Sequence, residues 1–188
     1  MEAYSAGQRL FGENRPQELA AKVPLMPQDV EWHFIGHLQT NKLKLVLPYV
    51  SMVESVDSLR LLEAISEWAV RNGRIVDILL ELHLGAEETK QGFTEEEILA
   101  VIGDPIPGPL NGVRIRGLMG MATNTDDEAV IEADFERIEG LFRKIRALGL
   151  LPDFDQLSIG MSGDWPLAVE HGATLVRIGT DIFGPREY

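Results

Sequence analysis

Two loops near the C-terminus carry the residue types that bind a phosphate group. The first is Gly160-Met161-Ser162-Gly163-Asp164, and the second is Ile178-Gly179-Thr180. The Ser162 and Thr180 hydroxyls can donate hydrogen bonds to an anion, and glycine lets backbone N–H groups approach it closely. Each hydrogen bond to a charged phosphate contributes roughly 1.5–3 kcal/mol. The two loops therefore predict a phosphate site; the plainer alternative is that Ser162 caps a helix and the glycines only turn the chain.

Arg177 precedes the second loop on the last predicted strand. Because side chains alternate along a strand, Leu175, Arg177 and Gly179 share one face. A guanidinium inside a barrel needs an acceptor, since an unpaired buried charge is costly. A carboxylate at the barrel rim and an aromatic nitrogen of a cofactor both meet this need, and the residues alone leave the two open.

The histidines favour structural roles over metal binding. His33 and His37 have a metal-pair spacing only on a helix, but the residues between them are typical of a strand, which separates the two by about 13 Å. The chain has no cysteine, which excludes a thiolate nucleophile and a Cys-ligated metal. We assign no catalytic residue and no metal ligand.

Short apolar runs alternate with helical patterns along the chain. Most runs are continuously hydrophobic, as in parallel strands covered on both faces. The seven predicted strands are Gln8–Gly12, Trp32–Gly36, Met52–Ser55, Val76–Leu84, Val113–Met119, Gln156–Gly160 and Thr174–Gly179. They recur about every 28 residues, close to the roughly 31 per unit of an eightfold barrel. A doubly wound sheet alternates in the same way, but glycines at nearly every strand end favour a barrel with a ligand-binding mouth.

Three helices have clear end signals. Ser58 or Asp57 caps the first, which Gly73 ends, and Thr94 with Glu97 has capping-box spacing at the start of the second. The third and longest is expected to begin after Asn124 or Thr125 and to end at Gly149.

The composition excludes several classes of protein. Seventeen basic residues against 30 acidic ones give a net charge of −13, which argues against a nucleic-acid or anionic-membrane partner. A membrane-spanning helix needs about 20 apolar residues, and no stretch of that length lacks charge. We expect a cytoplasmic protein whose residues 1–188 form one domain.

The strand count is one short of a closed barrel. Residues 2–7 are typical of the tail of a helix that ends at Gly7, immediately before the first predicted strand. We therefore expect a TIM-type (β/α)8 barrel that lacks its first strand because the chain is truncated at its N-terminus. The two open edges predict self-association across the gap.

Six segments carry a family resemblance. They are Phe11-Gly12-Glu13-Asn14, Trp32 to Lys42, Glu54 to Ser58, Arg116-Gly117-Leu118-Met119, Ser158 to Asp164 and Val176 to Gly184. In order and spacing, from about Tyr4 to Tyr188, they closely resemble the pyridoxal-phosphate homeostasis proteins of the YggS-like family. The long segments around Trp32 and Arg177 are the most specific.

This resemblance implies a barrel similar to the N-terminal domain of alanine racemase, with pyridoxal 5′-phosphate (PLP) at its mouth. Family members are thought to carry and buffer PLP, without an established turnover. By the resemblance, Ser162, Gly179 and Thr180 hold the phosphate, Arg177 faces the pyridine nitrogen and Asn14 lies close to the cofactor. Inorganic phosphate or sulfate is expected to fit the same loops.

In the family, a lysine on the first barrel strand forms a Schiff base with PLP. None of the lysines here ends a predicted strand; they are Lys22, Lys42, Lys44, Lys90 and Lys144. We transfer the role to none of them and expect no covalent PLP binding by these 188 residues. Two alternatives are a PLP-dependent amino-acid racemase and a barrel enzyme acting on a phosphorylated metabolite, but the sequence supplies neither an opposing tyrosine domain nor a strand-end acid–base pair.

Overall fold

The chain folds into a parallel sheet that curves into a nearly closed barrel with helices outside it. The computed structural model describes residues 1–85, 91–103 and 110–184. The strands are β1 (Leu10–Glu13), β2 (Glu31–Phe34), β3 (Met52–Val56), β4 (Val76–Leu82), β5 (Val113–Gly120), β6 (Gln156–Met161) and β7 (Leu175–Arg177). The α-helices are α1 (Glu2–Ser5), α2 (Pro16–Lys22), α3 (Leu43–Val46), α4 (Leu59–Arg71), α5 (Glu95–Gly103), α6 (Glu128–Leu148), α7 (Trp165–Glu170) and α8 (Thr180–Phe183). Short 3₁₀ turns span Val23–Leu25 and Thr40–Lys42.

The strands lie in chain order, and every neighbouring pair is parallel. In the described part of the chain, β1 and β7 are edges that do not pair with each other. The seven predicted strands and the barrel class are thus confirmed. The prediction that the last strand reaches Gly179 is wrong, because the Gly179 carbonyl accepts hydrogen bonds from the Ile182 and Phe183 N–H groups at 3.1 and 2.8 Å, and α8 begins there.

Apolar side chains fill both sides of the sheet. The larger core lies between the strands and the surrounding helices and includes Leu80 and Leu82 of β4. A smaller cluster of Met52, Leu79 and Met119 lies on the lumen side of the sheet. Because side chains alternate along β4, Glu81 shares the lumen face with Leu79.

The predicted helix ends are mostly confirmed. Ser58 Oγ accepts a hydrogen bond from the Leu61 N–H at 3.4 Å, and Thr94 and Glu97 form the reciprocal capping box at 2.8 and 3.2 Å. Gly149 ends α6 with φ +66°. The start of α6 was predicted too early. Asp127 is the N-cap, since its carboxylate accepts from the Ala129 N–H at 3.1 Å.

None of the helices in the described ranges is both long and apolar enough to cross a bilayer.

Candidate functional site

The two glycine-containing loops meet at the C-terminal mouth of the barrel. Ser162 Oγ, after β6, accepts hydrogen bonds from the N–H groups of Gly179 and Asp181, after β7, at 3.3 and 3.4 Å. The interpretation of Ser162 as a helix cap is wrong, because Asp164 is the N-cap of α7. The loops that the sequence singled out are therefore adjacent, and their backbone donors converge on an oxygen.

Open space lies beside this convergence. A Cβ atom built on Gly163 or Gly179 would meet nothing within 4 Å. Gly160 instead needs to be glycine for conformational and steric reasons, since its φ is +90° and a Cβ would lie 2.5 Å from the Ala168 Cβ. The two loops together form what we call the cradle (Ser162, Gly163, Gly179 and Thr180).

Arg177 lies below the cradle, on the lumen face of β7, with its guanidinium bound to neutral oxygens. Nη1 donates to the Ser158 carbonyl oxygen at 2.9 Å and to Ser158 Oγ at 2.6 Å, and Nη2 donates to the Gly120 carbonyl at 2.8 Å. No carboxylate of the described residues lies within ion-pair distance of it. A guanidinium carries more donors than these three bonds use, so Arg177 retains N–H groups for a further acceptor.

The carboxylate that balances the charge of Arg177 is Glu54, and Ser158 connects the two by hydrogen bonds. Ser158 Oγ donates to Glu54 Oε2 at 2.5 Å, and His33 Nδ1 lies 2.6 Å from Glu54 Oε1. All three side chains are buried. Burial raises the pKa of Glu54, but the hydrogen bonds from His33 and Ser158 and the charge of Arg177 outweigh it and hold that pKa below its ordinary value. Glu54 is thus ionised and balances the buried cation across the lumen.

A second buried carboxyl, Glu81, lies on the same face of the sheet. Only 7% of Glu81 is exposed. Burial and the charge of Asp57 raise its pKa to about 7, against the opposing charges of Arg177 and His37. His37 Nδ1 lies 3.0 Å from Asp57 Oδ2. The sequence analysis assigned no role to Glu54 or Glu81, although a carboxylate inside a largely apolar strand is the signal that could have identified both.

Asn14 lies at the C-terminal end of β1, on the same end of the barrel as the cradle. Its backbone N–H donates to Glu13 Oε1 at 2.8 Å. No hydrogen bond in the described part of the structure joins Asn14 to Ser162, Arg177 or Thr180.

The described lysines lie on outer elements, as expected. Lys22, on α2, contacts the carboxylates of Glu13 and Glu18. Lys42 ends a 3₁₀ turn, and Lys44 and Lys144 lie on α3 and α6. Lys90 falls outside the described residues. His33 and His37 each bond to a carboxylate, as the structural interpretation predicted.

The parallel barrel with its two adjacent glycine-containing loops is of the alanine racemase class. The alanine racemase N-terminal domain family matches residues 1–187. The pyridoxal phosphate homeostasis protein of Aquifex aeolicus is 37% identical over 194 residues, which cover 100% of this chain and 81% of the relative. That of Vibrio alginolyticus is 35% identical over 193 residues, with the same coverage of 100% and 81%. The chain belongs to the pyridoxal phosphate homeostasis protein family, which confirms the resemblance seen in the sequence.

Solved structures agree with this assignment. PipY of Synechococcus elongatus without PLP is 38% identical, with a TM-score of 0.89 over 97% of this chain and 85% of PipY. PipY with PLP bound gives 36% identity and a TM-score of 0.84, with the same coverage of 97% and 85%. Alanine racemase from Bartonella henselae is 17% identical over 97% of this chain and 48% of the enzyme, with a TM-score of 0.68, and supports the fold alone.

Proposed function

We propose that this chain binds PLP at the mouth of its barrel and serves PLP homeostasis as a carrier of the cofactor. Residues 1–188 act as one PLP-binding domain in this proposal. The observation that carries it is the convergence of the Gly179 and Asp181 N–H groups on a single oxygen at the mouth. The names of the relatives and the PLP bound to PipY point to the same cofactor.

The cradle has the chemistry that a phosphate group requires. Backbone N–H groups and the Ser162 and Thr180 hydroxyls are donors, and the space beside Gly163 and Gly179 is large enough for an additional atom. When bound, PLP supplies an electrophilic aldehyde and an electron-withdrawing pyridine ring. The chain's own residues hold the phosphate and orient the ring.

Arg177 is proposed to donate a hydrogen bond to the pyridine nitrogen. Its bonds to Ser158 and Gly120 fix the guanidinium plane, and its remaining N–H groups need an acceptor. Because arginine does not release its proton, it would keep that nitrogen unprotonated and weaken the ring as an electron sink. This favours holding the cofactor over carbanion chemistry. Asn14 is proposed to line the same mouth.

Isothermal titration calorimetry with PLP, and separately with inorganic phosphate, tests the cradle. Gly179→Ala adds a methyl group where the fold has room, so that the protein stays folded while the cradle becomes smaller. Ser162→Ala removes a hydroxyl and should weaken PLP binding about ten- to hundredfold, the equivalent of one charged hydrogen bond. Gly140→Ala, on the exposed face of α6, and Ser5→Ala are the matched controls. If all four variants bind PLP with equal affinity, the cradle is not the phosphate site.

The carrier function is favoured over the racemase alternative by the comparisons. Relatives at 35–37% identity are named pyridoxal phosphate homeostasis proteins, whereas the alanine racemase of Bartonella henselae, at 17%, is too distant to bear on activity. A chiral assay for D-amino acids in the presence of PLP separates the two functions.

We also propose that copies of the chain associate through the open edges of β1 and β7. Val176 of β7 and the nearby Ile182 and Phe183 are exposed apolar side chains beside an unpaired strand edge. Sedimentation velocity over a range of concentrations should show a reversible dimer that Phe183→Ser weakens. A species that stays monomeric at all concentrations contradicts this.

A further inference from the structure

Three polar side chains at the barrel mouth have no role in the phosphate cradle. Glu81 ends the lumen face of β4, and Asp57 follows β3. Val56 pairs with Leu80 across these strands, so the next residues, Asp57 and Glu81, lie side by side. His37 bonds to Asp57 and is half exposed. We call this group the carboxyl cluster (His37, Asp57 and Glu81).

Glu81 is the unusual member because it is buried without a partner. In residues 1–85, 91–103 and 110–184, no hydrogen bond or ion pair reaches its carboxyl group. Every fully enclosed side-chain oxygen in that part of the chain has a hydrogen-bond partner. Because the carboxyl oxygens of Glu81 have no partner there, they are not fully enclosed and must face open space. Since its strand neighbours Leu80 and Leu82 pack outward against the helices, that space is the lumen.

The groups around Glu81 do not neutralise it. The charge of Arg177, on β7, lowers the pKa of Glu81, but the Arg177 guanidinium donates its hydrogen bonds to Ser158 and Gly120. Asp57 adds a like charge from β3, and His37 is engaged with Asp57. Glu54, a second carboxylate on the lumen side, is satisfied by His33 and Ser158. The cluster therefore presents excess negative charge to the mouth.

A compact cation fits this arrangement. The described residues contain no group of three His, Asp or Glu side chains with metal-binding geometry, which disfavours a metal ion. An anion would be repelled by Asp57 and Glu81. A primary ammonium group carries three N–H donors, which can pair with the carboxylate oxygens of Glu81 and Asp57. A cleft of about 430 Å³ is lined in part by His37 and Asp57, so solvent reaches the cluster from that side. Glu81 does not line this cleft and meets the ligand from the lumen.

We propose that Glu81 and Asp57, assisted by His37, bind the ammonium group of a primary amine at the mouth of the barrel. The site lies outside the cradle and needs no cofactor. It is therefore tested on the chain without PLP, and its failure would leave phosphate binding by Ser162 and Gly179 untouched.

The probe is methylammonium chloride, with sodium chloride at equal ionic strength as the salt control. Carbon-13 NMR of the Glu81 carboxyl follows its titration midpoint. Because the ionised carboxylate binds the cation, methylammonium at about ten times its Kd should lower that midpoint by about one pH unit. Sodium chloride should leave it nearly unchanged. Equal effects of the two salts would overturn the proposal.

Amide chemical-shift titrations at pH 8 locate the site and measure its affinity. Methylammonium should perturb the backbone around Asp57 and Glu81 saturably, and Glu81→Gln should weaken its binding at least tenfold. Glu63→Gln, the same change on the exposed face of α4, is the matched control and should bind like the unmodified chain. Unchanged affinity in Glu81→Gln contradicts the proposal, and if that variant does not fold, the carbon-13 midpoint of the unmodified chain decides.

Discussion

Replacing Glu81 by glutamine should change how stability depends on pH. Burial and Asp57 raise the pKa of Glu81 from 4.5 to about 7. A carboxyl whose pKa is higher in the folded state favours folding when it is protonated, so this contribution is present below pH 4.5 and is lost as the pH rises to about 7. At 1.36 kcal/mol per pH unit, the loss is about 3 kcal/mol. Glutamine keeps the shape of the protonated acid but does not ionise.

The assay is urea denaturation of both proteins between pH 4 and pH 8. The free energy of unfolding of Glu81→Gln, relative to the unmodified chain, should increase by about 3 kcal/mol across this range. Contributions of the other titrating groups cancel in the difference. For Glu63→Gln, the difference in the free energy of unfolding from the unmodified chain should not change with pH. A flat difference for Glu81→Gln as well would refute the argument that Glu81 is buried without a counter-charge.

Three further outcomes follow from the contacts. Ser158→Ala leaves Arg177 and Glu54 each short of a hydrogen bond and should reduce the free energy of unfolding by about 3 kcal/mol in urea denaturation; a loss no larger than that of Ser5→Ala contradicts the proposed network. Gly117→Ala would drive a Cβ into the Gln156 carbonyl and lower the free energy of unfolding by at least about 3 kcal/mol. Gly140→Ala, where a Cβ meets nothing, should raise the free energy of unfolding by about 0.5–1 kcal/mol. Thermal melts of the two variants compare these effects. Borohydride reduction with PLP, followed by peptide mass mapping, should show no site-specifically labelled lysine at the barrel mouth, since the described lysines lie on outer elements. A stoichiometric, site-specific label on one of them is the contrary result.

The architecture could be predicted because each strand is a separate local signal. Continuous apolar runs and end glycines identify β1–β7, and the cap residues Ser58, Thr94 and Gly149 act within one helical turn. The start of α6 was harder to predict because Asn124, Thr125 and Asp127 are all good caps. The choice among them depends on a hydrogen bond, to the Ala129 N–H, that the sequence does not reveal.

The loops of the cradle were predictable, whereas the interior network was not. Ser162 and Gly179 stand in short glycine-containing motifs at the ends of neighbouring strands, so their adjacency follows from the predicted strand order. Glu54, Ser158 and Arg177 lie on three different strands, and Glu54 and Ser158 are 104 positions apart in the chain. Their contact depends on barrel curvature and on the irregular register between β3 and β4. Strand alternation could place each side chain on a face but could not bring them together.

A crystal structure of this chain soaked with PLP tests the central claim most directly. The account predicts phosphate density within hydrogen-bond distance of the Gly179 and Asp181 N–H groups, with the pyridine nitrogen next to the Arg177 guanidinium. PLP bound elsewhere while those N–H groups remain on Ser162 Oγ would contradict it.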